Sequence, residues 1–194
     1  EPDPGLQEEW IALQGQQDMV CDPAGVDHFA QHVPKSQVLR LPKVGHGFGV
    51  ERNWLPQFRD AAYRLQSAAS ATATATAAAP LQSVSGLPLV EVPAVGAGQD
   101  LMVIIVSGDG GWAGLDRQVA ADLAQRGIPV VGIDSLRYFW HARTPEAAAR
   151  DVAAVASHYS AAWRRPRIAL IGYSFGADVL PFVVNRLPAD LWRA

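Results

Sequence analysis

The chain has 194 residues, 49% of them hydrophobic and 18% charged, with a formal net charge of −3; that is a globular composition, sized for one compact domain or pieces of two. The mild acidity, without a basic run or an interleaving of aromatic and basic residues, excludes the electrostatic footprint of a nucleic-acid binder. Cys21 is the only cysteine, which excludes an internal disulfide framework and a cysteine-built metal site, and no apolar run approaches the roughly 18 residues needed to cross a bilayer.

The first 67 or so residues read as strand, helix, strand, helix. "WIALQG" (10–15) is a short apolar run closed by glycine, and "GVDHFAQHV" (25–33) has helical spacing. "SQVLRLP" (36–42) alternates as a strand would, and "NWLPQFRDAAYRLQSAA" (53–69) sets Leu55, Phe58, Ala62 and Leu65 on one helical face. The acidic, proline-rich start "EPDPGLQEEW" lacks the basic head and apolar body of a signal peptide. The expected organisation is the C-terminal part of a first hydrolase-like domain over 1–66, then an Ala/Thr/Ser-rich linker over 67–86. The tract "SAASATATATAAAPLQSVSG" has almost no large apolar side chain to anchor it to a core, and its threonines weaken an alanine helix.

From residue 87 the pattern is α/β. "LPLVEVPA" (87–94) is a strand, and "DLMVIIVSGDGGW" (100–112) is a buried strand that runs into a glycine turn. "LDRQVAADLAQRG" (115–127) is an amphipathic helix ending at Gly127, a natural helix stop. "IPVVGID" (128–134) is a strand, and residues 144–163 form a helix with Pro145 in its first turn. "RIALIG" (167–172) is a further buried strand, and "SFGADVLPFVVNRL" opens the next helix. Apolar strands alternating with helices predict an α/β fold, a mostly parallel sheet with helices on both faces, incomplete at both chain ends.

Gly172-Tyr173-Ser174-Phe175-Gly176 is a G-x-S-x-G sequence between a strand and a helix, the setting in which that motif forms a nucleophile elbow. The serine must take a strained conformation for its hydroxyl to project above the sheet, and flanking glycines keep side chains off the strand and helix. The backbone N–H of Phe175 and amides of Gly110 and Gly111, in "SGDGGW", are the expected oxyanion donors. That turn lacks the lysine and spacing of a phosphate loop. Asp109, Asp116, Asp134 and Asp178 sit in separate loops and helix starts, where capping is the better reading than metal ligation. His141 and His158 read as surface or packed histidines. No metal and no cofactor is expected.

A nucleophilic serine requires a histidine and an acid, which follow the serine along an α/β-hydrolase chain. Residues 175–194 hold only Asp178 and Asp190 and no histidine. The first region carries a pair in the right surroundings: Asp18 follows the strand "WIALQG", and His46 sits between glycines after "SQVLRLP", 28 residues later. His46 is the expected general base and Asp18 the acid that fixes its tautomer, either in a separate hydrolase-like unit or docked against Ser174 in permuted order.

At "SGDGGW", "GIDSLRYFW", "TPE" and "GYSFGADVLPFVVNRLP" the chain resembles the VirJ/AcvB family of bacterial virulence proteins over about residues 87–194. The resemblance implies that 87–194 is the N-terminal half of a VirJ-like α/β-hydrolase domain in a periplasmic protein. It implies a serine esterase with Ser174 as nucleophile, acting on the aminoacyl ester of aminoacylated phosphatidylglycerol. The expected partners are therefore a lipid-like ester at a membrane surface and, for VirJ-type members, type IV secretion components. The competing expectation is a catalytically silent hydrolase-like assembly module, since function does not follow from fold.

Overall fold

The computed structural model describes residues 9–69, 83–96, 98–188 and 191. The chain divides into two compact units, Glu1–Ser70 and Ala71–Ala194. Of the linker expected over 67–86, residues 70–82 lie outside the described residues.

The first unit comprises β1 (Trp10–Gly15), α1 (Pro23–Ala30), β2 (Ser36–Leu41), a 3-10 turn (Glu51–Asn53) and α2 (Leu55–Ala69). The strands pair in parallel from Trp10↔Ser36 to Gly15↔Leu41, which requires a crossover between them, supplied by α1. α1 starts two residues earlier than its apolar spacing suggests. The Asp22 side chain accepts from the Ala24 N–H, and Pro23 carries a φ already suited to a first helical turn. The core of this unit is small: Val33, Leu41, Val44, Trp54, Phe58 and Ala61 are buried. Trp54 is its centre, with Phe48 and Phe58 edge-on to the indole at 5.7 and 6.2 Å and Nε1 donating to the Phe48 carbonyl at 2.7 Å.

The second unit comprises β3 (Leu89–Val92), β4 (Leu101–Val106), α3 (Gly114–Gln125), β5 (Val130–Ile133), α4 (Ser135–Tyr138), α5 (Pro145–Trp163), β6 (Arg167–Gly172) and α6 (Phe175–Val184). The sheet order is β3-β5-β4-β6. β4 pairs in parallel with β5 and β6, while β3 runs antiparallel to β5. All six residues of β4 are buried, the signature of a strand covered on both faces. Met102, Ile104 and Val106 join Val131 and Ile133 of β5 in one core with α5 and α6. The alternate residues Leu101, Val103 and Ile105 are equally buried and point the other way.

Local signals account for the helix boundaries. α3 ends in a Schellman arrangement: Ile128 N–H bonds the Leu123 carbonyl, Gly127 N–H bonds the Ala124 carbonyl, and Gly127 has φ 80°. Thr144 caps α5 by accepting from Ala147 N–H at 3.2 Å, with Pro145 in the first turn. The connection out of β4 runs to β5 on one side, and the later chain returns to β6 on the other. The switch point therefore lies between β4 and β6, where open α/β sheets bind ligands beyond the carboxyl ends of their strands.

Candidate active site

Ser174 stands where β6 passes into α6, with φ 51° and ψ −122°. A non-glycine residue in this region costs of order 1–3 kcal/mol and persists only where its surroundings enforce it. The two motif glycines do the enforcing. A Cβ on Gly172 would lie 2.6 Å from the Ala177 nitrogen and from the Gly176 carbonyl carbon and oxygen. A Cβ on Gly176 would run into the carbonyl of Val106 and stand 2.7 Å from that of Ser107. The helix thus starts hard against the end of β4, and the only way from strand to helix is the sharp turn that puts Ser174 at its tip.

Phe175 is the first residue of α6, so its N–H has no acceptor within the helix, and the helix N-terminus adds positive potential at that point. The turn after β4 lies alongside. Val106 and Gly172 are in register across the sheet, so both strands deliver their loops at the same level. Gly108 is the point of contact, since a Cβ there would lie 3.5 Å from the Ser174 Cβ and 3.4 Å from the Tyr173 ring.

The two glycines expected to supply amides differ. Gly111, at φ 78°, donates its N–H to the Gly108 carbonyl at 3.0 Å, closing the turn. Among the described residues, the N–H groups of Asp109 and Gly110 make no hydrogen bond. A Cβ on Gly110 would meet nothing within 4 Å. Gly111 serves the turn's shape, packed so closely on the Asp134 carboxylate that a Cβ would lie 2.7 Å from it. The amides still available to an oxyanion are those of Asp109 and Gly110, together with Phe175.

This loop is fixed by groups that spacing did not reveal. Ser107 is fully buried; its Oγ accepts from the Ser135 N–H at 2.9 Å, and the Ser135 hydroxyl donates to the Ser107 carbonyl at 2.7 Å. The exchange locks the turn after β4 to the start of α4. At the other end the Trp112 ring occupies the space that a side chain on Gly132 of β5 would fill. α4 itself is a single turn of four residues, too short to show a helical period. It leads into Phe139, whose ring stands edge-on to that of Phe175 at 5.1 Å. Beside it Trp140 is 74% exposed and Leu136 47% exposed, so large apolar side chains face solvent on this segment.

The carboxylates behave largely as caps. Asp134 accepts from the Arg137 N–H at 3.3 Å at the head of α4. Asp116 accepts from the Ala113 N–H at 3.2 Å at the head of α3. Burial, with the nearby charge of Asp134, pushes the Asp116 carboxyl up despite that bond. Asp178 lies in the first turn of α6. His158 packs its ring 5.0 Å from that of Tyr159 on α5, and His141 is exposed in the loop before α5.

In the first unit, Asp18 and His46 meet. His46 Nδ1 lies 3.0 Å from Asp18 Oδ2, and the other carboxylate oxygen accepts the N–H groups of Val20 and Cys21 at 2.8 and 2.9 Å. Burial alone would raise the Asp18 carboxyl, but the Cys21 and Val20 amides and His46 outweigh it and hold it below the ordinary value. Each residue leaves the carboxyl end of one of two adjacent parallel strands, β1 and β2. A carboxylate that orients one ring nitrogen of an imidazole is the construction of an acid–base pair.

Residues 100–193 match the family model described as bacterial virulence protein (VirJ). No curated protein gives a match to the chain. The matched span begins at β4 and contains the glycine turn after it, α4 and the Ser174 turn. Over residues 100–193, then, the chain is similar to the VirJ family of bacterial virulence proteins.

Proposed function

We propose that the second unit belongs to a serine esterase in which Ser174 is the nucleophile. The observation that carries this reading is the left-handed backbone of Ser174, enforced by Gly172 and Gly176 at the carboxyl end of β6. The Ser174 hydroxyl attacks an ester carbonyl, an imidazole removes its proton, and the Phe175 N–H with an amide of the Asp109–Gly110 turn holds the oxyanion. Collapse expels the alcohol, which takes back the proton, and water then cleaves the acyl-serine. We assign as substrate the aminoacyl ester of aminoacylated phosphatidylglycerol, met at a membrane surface in the periplasm. The exposed Trp140 and Leu136 beside Phe139 and Phe175 suit a lipid-like ester.

A fluorophosphonate probe tests the nucleophile: the wild type should label covalently and Ser174→Ala should not. Hydrolysis of an aminoacyl ester that survives in Ser174→Ala would reject Ser174. The first unit's imidazole is tested in the same assay, because loss of Ser174 labelling in a folded His46→Ala variant makes His46 its base and retained labelling separates the two. A second reading is a silent assembly module for type IV secretion; the VirJ match supports its link to virulence. That reading expects a wild type that never labels and a Ser174→Ala variant that keeps its binding partners.

A further inference from the structure

A second cluster of reactive side chains lies in the first unit. Asp18, Cys21 and His46 each offer one ligand atom, and these atoms all lie within 4.8 Å of one another. The cluster combines a carboxylate, a thiol and an imidazole at the carboxyl ends of β1 and β2. We propose that Asp18, Cys21 and His46 bind a divalent transition-metal ion, zinc above all, with a fourth position left open.

Three observations carry this. The donor set is mixed sulfur, nitrogen and oxygen, which selects zinc and its neighbours over the hard cations magnesium and calcium. The spacing is close to what such an ion needs. With metal–oxygen and metal–nitrogen bonds of about 2.0–2.1 Å, two tetrahedral ligands stand roughly 3.3 Å apart. Asp18 Oδ2 and His46 Nδ1 are already 3.0 Å apart, so a few tenths of an ångström of widening admits the ion between them. Preorganisation is the third. Asp18 Oδ1 is held by the N–H groups of Val20 and Cys21, which fixes the carboxylate and draws Cys21 into the same turn while Oδ2 faces His46.

The surroundings fit ion entry. The Asp18 side chain is 5% exposed and that of His46 25% exposed, so the site is walled on one side and reachable from the other. His46 sits between Gly45 and Gly47, and a Cβ on Gly47 would meet nothing within 4 Å, so the backbone beside His46 is open on that side. The ion would replace the proton shared by Asp18 and His46, so metal binding and an acid–base role exclude each other at this imidazole.

The test is titration of the full chain, first stripped with a chelator, with Co²⁺ and then Zn²⁺. One Co²⁺ per chain should give a thiolate-to-cobalt charge-transfer band that stoichiometric Zn²⁺ abolishes. Cys21→Ser should remove the band, and Asp18→Asn and His46→Ala should weaken binding by at least about tenfold. Circular dichroism verifies folding of each variant, and reversible blocking of the Cys21 thiol in the wild type replaces any variant that does not fold. Absence of the band, or Zn²⁺ binding unchanged in all three variants, overturns the proposal. Labelling of Ser174 is read separately, so a failed metal site leaves the esterase reading standing, and the reverse.

Discussion

The two units place their chemistry by the same rule and make it by different means. In each, the candidate groups leave the carboxyl ends of adjacent parallel strands: Asp18 and His46 after β1 and β2, and the Gly108 turn and Ser174 after β4 and β6. The first unit assembles its cluster from side chains, with a carboxylate fixed by two amides and an imidazole fixed by the carboxylate. The second uses backbone, forcing one serine into a left-handed turn and leaving amides beside it. Side-chain assembly tolerates a small core such as that around Trp54. Backbone strain requires a rigid frame, and the fully buried β4 supplies it.

Chemical substitution tests that contrast most severely. Ser174→Ala should lower ester turnover by about 10⁴-fold or more, with thermal unfolding of both units unchanged. A reduction of less than tenfold would place the chemistry elsewhere.

Next come the close approaches that each frame depends on. Gly176→Ala drives a methyl group into the Val106 and Ser107 carbonyls, and Gly15→Ala drives one into the Val44 carbonyl in the first unit. Each should cost about 3 kcal/mol or more in denaturant unfolding, as overpacking against unyielding backbone does. Gly47→Ala, in open space, should stay within about 0.5 kcal/mol. Ser107→Ala leaves the buried Ser135 N–H without its acceptor, a loss of about 1–3 kcal/mol. Esterase turnover should fall with it as the oxyanion turn loosens.

The pH dependence should run in opposite directions in the two units. The Asp18 carboxyl is held low, so its contribution is present above the ordinary value of 3.8 and is lost as pH falls through the lowered one. Amide exchange at Val20 and Cys21 should accelerate in that acidic range. The Asp116 carboxyl is held high, so its stability is full below 3.8 and declines as pH rises through the raised value. Asp116→Asn mimics the neutral form and keeps a carbonyl acceptor for Ala113. It should therefore be more stable than the wild type at neutral pH, with the difference closing in acid. Ser174→Gly should give a modest net gain, because about 1–3 kcal/mol of backbone strain is released against about 0.4–1 kcal/mol of added unfolded-state entropy.

The sheet was legible because its strands are nearly pure apolar runs: 167–172 is the strand read from "RIALIG", and "DLMVIIV" contains β4. The serine was legible because its glycines are sterically obligatory, and the Asp18–His46 pair because both follow strands. Other features left no local trace. The antiparallel run of β3 depends on pairing across some forty residues, and apolar content alone does not encode direction. α4 is a single turn, too short to show a repeating helical period. The roles of Gly110 and Gly111 separate only once the Gly111 N–H is seen turned back on Gly108.

The indole of Trp112 stands in for the side chain that Gly132 lacks. A loop residue has thereby become part of the sheet's packing, and the turn after β4 is pinned there as well as at Ser107. Such a turn cannot swing aside to admit substrate without uncovering the sheet. Nearby, the stretch from Leu136 to Trp140 carries exposed apolar groups and touches Phe175 through Phe139.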